Sequence, residues 1–232
     1  MMKIPGLEAL TGRRLLVGTT LVLLVSLLLG QLAAGDPGLM FEESGTVTLA
    51  SFFFLLAIAR VNGRIFTLRR SKALPLWDDP AVIWALICLG FVFLAFDEVA
   101  EIHERADKWL HHILRLQETA LSDRIDDFII AIYGMTGLAL IWRYRSEFAH
   151  STRLRNWLGA GVGITFLSVI LDMLGNRSDV LRAFGLSLQH ADTVQGWIDI
   201  VEECCKLFAE VCLLSGFLCQ WRDLRQKPAP LP

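Results

Sequence analysis

Asp97, Glu98, Glu101, His103 and Glu104 crowd into FDEVAEIHE, a stretch that follows directly on an apolar run. A second group, Glu202, Glu203, Lys206 and Glu210, interrupts the last apolar segment, and Asp172 lies in the segment before it. Carboxylates gathered with an imidazole suit two kinds of chemistry. Convergent and ionised, they are oxygen-rich ligands for a hard divalent cation, whose bound water becomes a nucleophile beside a basic carboxylate. Placed inside a bilayer, they mark a path for protons or cations.

Helical geometry sorts these residues by face. At about 100° per residue, Asp97, Glu101 and Glu104 share one face with Glu98 flanking it, whereas His103 points away from Glu101. Asp199, Glu203, Lys206 and Glu210 likewise fall on one narrow face, which must turn inward if the helix crosses a membrane. With Asp126 and Asp127 at the start of another apolar segment, four helices present carboxylates at similar depth. The ligand set expected from this convergence is Asp97, Glu98, Glu101, His103, Asp172, Glu202 and Glu203, with Glu101 and Glu203 in catalytic roles. The expected cofactor is a divalent metal ion, one of Mg, Mn, Fe, Zn or Ca. The expected activity is metal-dependent chemistry, such as hydrolysis, on a lipid or small molecule at the outer leaflet. A second expectation is a proton or cation transporter or channel built on Lys206 and Glu210. A third is a non-catalytic subunit whose buried charges meet a membrane partner or a second copy of the chain.

Several narrower motifs are weaker. HERAD resembles the two-ligand helix motif H-E-x-x-H, but Asp107 stands in the last position. Glu101 and His103 are two apart rather than the three of the Glu-x-x-His unit of di-iron bundles. Glu202–Lys206 and Lys206–Glu210 have the spacing of ordinary intrahelical ion pairs. No Gly-rich phosphate loop or Ser–His–Asp arrangement is evident, and no nucleic-acid partner is expected. Cys88, Cys204, Cys205, Cys212 and Cys219 all lie in apolar segments, so they read as buried thiols and not a disulfide framework.

The elements that must position these groups follow from composition. Of 232 residues, 54% are hydrophobic and only 20% charged, and the mean hydropathy is +0.49. A soluble domain of this length is seldom so apolar. Six segments, about 14–35, 44–63, 81–100, 124–142, 156–175 and 197–221, approach the roughly 20 residues that a span requires. The fold class expected is an all-α polytopic transmembrane bundle, one membrane domain over residues 1–232. Trp109, Leu110, Ile113, Leu114 and Leu116 recur at roughly helical spacing among charges, which predicts an interfacial helix over about 104–118. Gly159 and Gly163 in GAGVG are spaced for close helix packing. Ser122 and Asp123 are plausible N-caps for the fourth span.

Most of the 22 Lys and Arg flank alternate segment ends. Arg13 and Arg14 precede the first span, Arg60, Arg64, Arg69 and Arg70 close the second, Arg143, Arg145, Arg153 and Arg155 separate the fourth from the fifth, and Arg222 and Arg225 follow the sixth. The positive-inside rule puts both termini in the cytoplasm of a cell with an inner membrane, and the carboxylate-rich ends outside. A cleaved secretory signal is the alternative for the first segment; its apolar region is long for that, and Gln31 and Leu32 fit a cleavage site poorly.

Phe91 to Glu98, His103 and Glu104, then Glu202 and Glu203, form a pattern of D-E and H-E at the end of one span and E-E in a later one. It resembles uncharacterised bacterial multi-spanning membrane proteins across spans three to six, a resemblance that implies no activity. The intramembrane proteases of the CAAX type carry E-E-x-x-x-R and later histidines. Here EECCKLF has no Arg at that place and no His after it, so that likeness fails.

Overall fold

Thr11 opens the first helix by accepting the Arg14 amide at 3.4 Å, and Gly35, at φ 71°, closes it. Glycine adopts that left-handed conformation without a Cβ penalty. Between them, α1 (Gly12–Ala34) buries Leu15, Thr19, Leu23, Ser26 and Gly30, a stripe of three- and four-residue steps along one face. Val17, Leu21, Leu28 and Leu32 stay exposed on the other side, as a lipid-facing helix requires.

The computed structural model describes residues 10–42, 45–71, 73–114, 125–149, 151–175 and 188–226, and all regular structure in them is helical. A 3-10 turn, Pro37–Met40, folds under α1 and leads to α2 (Thr46–Arg69). Then come α3 (Val82–Ala100), α4 (Ile102–Leu114), α5 (Ile125–Arg143), the short α6 (Arg145–Ala149), α7 (Thr152–Gly175) and α8 (Leu188–Gln226). The segment expected as an interfacial helix is helical as far as Leu114, within α4, with Trp109 and Ile113 exposed; residues 115–118 lie outside the described set. So do Ser122 and Asp123, and the side chains of Glu104, Asp107, Asp126 and Asp127.

Five helices among the described residues are long and apolar enough to cross a membrane: α1, α2, α3, Thr152–Asp172 of α7 and Thr193–Gln226 of α8. The expected fourth span falls on α5, whose described apolar stretch, Ile129–Arg143, is shorter. The chain is therefore a multi-pass helical membrane protein.

The 39-residue α8 is the axis of the bundle. Of its most apolar stretch 67% is buried, against 22–44% for the other four helices, and α7, α2 and α1 all pack on it. Between helices in lipid, association rests on close packing and polar contacts, because lipid tails are as apolar as leucine. Gly161 supplies the close approach of α7 to α8: a Cβ there would lie 2.7 Å from Leu213 Cδ2 and 3.2 Å from the Ala209 carbonyl oxygen. Gly159 and Gly163, the pair that the sequence spacing favours, face open space instead. Their side of α7 is turned away from α8. Ser26 and Thr46 hydroxyls join α1 to α2 at 2.7 Å.

Toward the arginine-rich end the core is aromatic. Trp84 lies 5.1 Å from Phe148 and 6.2 Å from Phe217, centroid to centroid, with Ile58, Ile65, Leu154, Leu214 and Leu218 around them. Asp79 starts α3 by accepting the Ala81 amide at 2.9 Å and the Ser71 amide at 2.7 Å, which ties the α2–α3 loop down. All five cysteines are free thiols.

Candidate functional site: a charge cluster within the bundle

At the other end of the bundle, α3 and α4 meet at Glu101, with no glycine or proline at the break. Glu101 has φ 49°, the left-handed region, which costs an L-residue about 1–2 kcal/mol. Asp97 holds it there. Its backbone oxygen accepts the Glu101 amide at 2.7 Å. Its carboxylate accepts the His103 amide at 2.9 Å and lies 3.0 Å from His103 Nδ1. Asp97, in the last turn of α3, thus caps the first turn of α4 and satisfies an amide that the helix start leaves open. The two expected ligands Asp97 and His103 face each other, and Glu101 is the residue that turns the chain between them.

Glu98, one residue on from Asp97, points into the bundle. Lys206 Nζ of α8 stands 2.9 Å from Glu98 Oε1 and 2.6 Å from Glu203 Oε1. Lys206 lies roughly 24 Å along the helix axis from Arg222 at 1.5 Å per residue, within a bilayer core of about 30 Å. Neither of the i,i+4 pairs that the spacing allows, Glu202–Lys206 or Lys206–Glu210, forms an ion pair. Lys206 bridges helices α3 and α8 instead, and Glu203 joins at i,i+3.

The remaining carboxylates bond to hydroxyls of other helices. Glu210 accepts the Ser51 hydroxyl of α2 at 2.6 Å, and Glu202 accepts the Ser168 hydroxyl of α7 at 2.7 Å. Asp172 of α7 is near enough to act electrostatically on Glu202, and Glu98 and Asp199 on Glu203. Asp199 nonetheless stays exposed, so the inward face of α8 runs from Glu203 through Lys206 to Glu210. Glu203 Oε2 and Glu210 Oε2 are buried without a hydrogen-bond partner.

Four helices, α2, α3, α7 and α8, thus supply the cluster. The expected convergence of seven ligands separates into distinct contacts: Asp97 with His103, Glu98 with Lys206 and Glu203, and Glu202 with Ser168. Among the described residues no group of three or more His, Cys, Asp or Glu side chains is arranged to hold a metal ion. Between Glu98 and Glu203, the ammonium of Lys206 sits where a neutralising cation would.

Sequence reasoning missed the hydroxyls of Ser51 and Ser168. Ser51 carried a weak signal, a small polar residue directly ahead of the apolar run FFFLLAIA. It also missed an ion pair at the arginine-rich end, between buried Glu147 and exposed Arg69. Glu147 accepts Arg69 Nη2 at 2.6 Å and Arg69 Nε at 3.0 Å, and Trp84 Nε1 donates to the same carboxylate at 3.0 Å. In the sequence Glu147 is one acid in a basic loop, and nothing separates it from a solvated one.

No curated protein matches the chain, and no solved structure does. A family model described as a domain of unknown function (DUF8692) matches residues 20–221, which include the whole charge cluster and both of its serines. The chain belongs to that family, DUF8692.

Proposed function

We propose that this protein moves protons or small cations through the membrane by way of the cluster on α8. The observation that carries the proposal is the Lys206 ammonium, partly buried within the span and held between Glu98 and Glu203 at 2.9 and 2.6 Å. Charged side chains at such depth are costly and usually mark an ion pathway or a coupling site. Glu210 lies one turn further along α8, with one carboxyl oxygen on Ser51 and the other buried and unpaired. A carboxyl group so placed has a vacant position for a proton, and Lys206 has carboxylates on two sides between which to alternate. Six spans with both termini in the cytoplasm, in an inner membrane, complete the proposal.

The test is flux in proteoliposomes, with a pH-sensitive dye inside and Na⁺ or K⁺ gradients imposed. Wild-type protein should dissipate a proton or cation gradient, and Glu210→Gln should stop it while the protein stays folded. Unchanged flux in Glu210→Gln removes the residue on which the pathway depends.

A metal-dependent enzyme that acts on a lipid or small molecule is the second proposal, favoured by the electrostatic proximity of Asp172 to Glu202 and of Glu98 to Glu203. Elemental analysis of purified protein separates the two. Stoichiometric metal that is lost in Glu101→Ala/Glu203→Ala would favour the enzyme; metal-free protein with gated flux would favour transport.

A further inference from the structure

We propose that the groove between α5, α6 and α7 seats an anionic phospholipid, with its phosphate on Arg145 and Arg155 and an acyl chain along α7. The groove has a volume of about 620 Å³, within the range of roughly 300–1,000 Å³ typical of small-molecule sites. Its composition changes along its length. At the end toward α6, its mouth, stand Arg145, Ser146 and Arg155; further along α5 and α7 the walls are Leu138, Ile141, Leu158 and Val162. A polar, cationic opening above an apolar trough is the shape of a lipid headgroup above its tail.

Three observations fix the charge and the depth of the mouth. Trp142 is 71% exposed and the Arg145 guanidinium lies 5.6 Å over its ring. Exposed tryptophan beside arginine at the end of an apolar helix is the arrangement found at headgroup level. Arg155 sits in the first turn of α7, with Nη2 near Thr152 Oγ1 at 3.5 Å, and no carboxylate among the described residues pairs with either arginine. Glu147, the acid of α6, is turned inward and held by Arg69 and Trp84, so it leaves the cationic mouth uncompensated. Gly159 then gives the trough its width: a Cβ at that position meets nothing within 4 Å.

The choice of an anionic lipid over a zwitterionic one follows from charge. Two guanidiniums with no carboxylate paired to them among the described residues prefer a net negative headgroup, and basic pockets between membrane helices recognise such lipids. Two arginines at about 1 kcal/mol each amount to roughly 30-fold in affinity.

The full chain, purified in detergent, is titrated with phosphatidylglycerol and with phosphatidylcholine, and bound lipid is counted by native mass spectrometry. Phosphatidylglycerol should bind preferentially, and Arg145→Gln/Arg155→Gln should weaken it by about 30-fold. Arg70→Gln/Arg153→Gln removes the same charge from the same end of the molecule outside the groove, and should leave binding within about twofold. Gly159→Leu, which fills the trough and keeps both arginines, should weaken phosphatidylglycerol by about tenfold; it also carries the test if the arginine variant does not fold. Millimolar inorganic phosphate should not compete. Equal losses in the two arginine variants, equal affinity for both lipids, full affinity in Gly159→Leu, or competition by phosphate alone would each overturn the proposal.

Discussion

Lys206, Glu98 and Glu203 form a group with one positive and two negative charges, and that imbalance sets what each substitution does. Replacing Lys206 by Met leaves two carboxylates facing each other without a counter-ion. The three side chains are partly buried, and leaving such a charged group without its partner costs about 1–3 kcal/mol, so Lys206→Met should lower thermal stability by about that amount. Glu98→Gln leaves a neutral Lys206–Glu203 pair and should cost less than about 1 kcal/mol. Thermal unfolding of the two variants in the same detergent measures the difference; equal losses would mean that Lys206 does not balance both acids. The presence of these charges in a span was legible from the sequence, as was their common face. Their partners were not, because an i,i+4 spacing reads the same whether a lysine turns along its own helix or across to another. Ser51 and Ser168 escaped for a related reason: an intramembrane serine most often bonds to its own helix backbone, and only the packing of α2 and α7 on α8 assigns them to Glu210 and Glu202.

The helices themselves were largely legible, since length and apolar runs locate spans. Where they break and which face they present were less so. Span three and the helix after it divide at Glu101, a site without glycine or proline, because Asp97 satisfies the open amide of the next helix. Relief of the left-handed strain predicts that Glu101→Gly raises stability by about 0.5–1 kcal/mol, read as a higher unfolding midpoint. A loss of function at unchanged stability would instead give the carboxylate a chemical role. On α7 the contrast lies between two glycines of GAGVG. Gly161→Ala forces a methyl into Leu213 and should cost about 1–3 kcal/mol. Gly159→Ala meets open space and should be neutral or stabilising by up to about 1 kcal/mol, the helix propensity difference. Parallel unfolding curves check the order, and a larger loss at Gly159 would reverse the packing assignment. Sequence spacing chose Gly159 and Gly163 because both matches to a small-xxx-small pattern look alike until one face has a neighbour.

At the scale of the molecule, charge is divided between two ends. One holds the Arg69–Glu147–Trp84 contact and the arginine-mouthed groove; the other holds the cluster and the Asp97 cap. The most buried of the five spanning helices is also the one that carries Glu202, Glu203, Lys206 and Glu210. Such a segment enters lipid reluctantly by itself, since a charged residue at a helix centre adds about 2.5–3.5 kcal/mol to the free energy of insertion. The groups on other helices that receive those charges, Ser51 on α2, Glu98 on α3 and Ser168 on α7, all precede α8 in the chain. During synthesis, then, the helix least able to integrate unaided emerges from the ribosome after its polar partners have already been translated, and its lateral exit into the bilayer becomes a docking step onto a waiting bundle and not a partition into bare lipid.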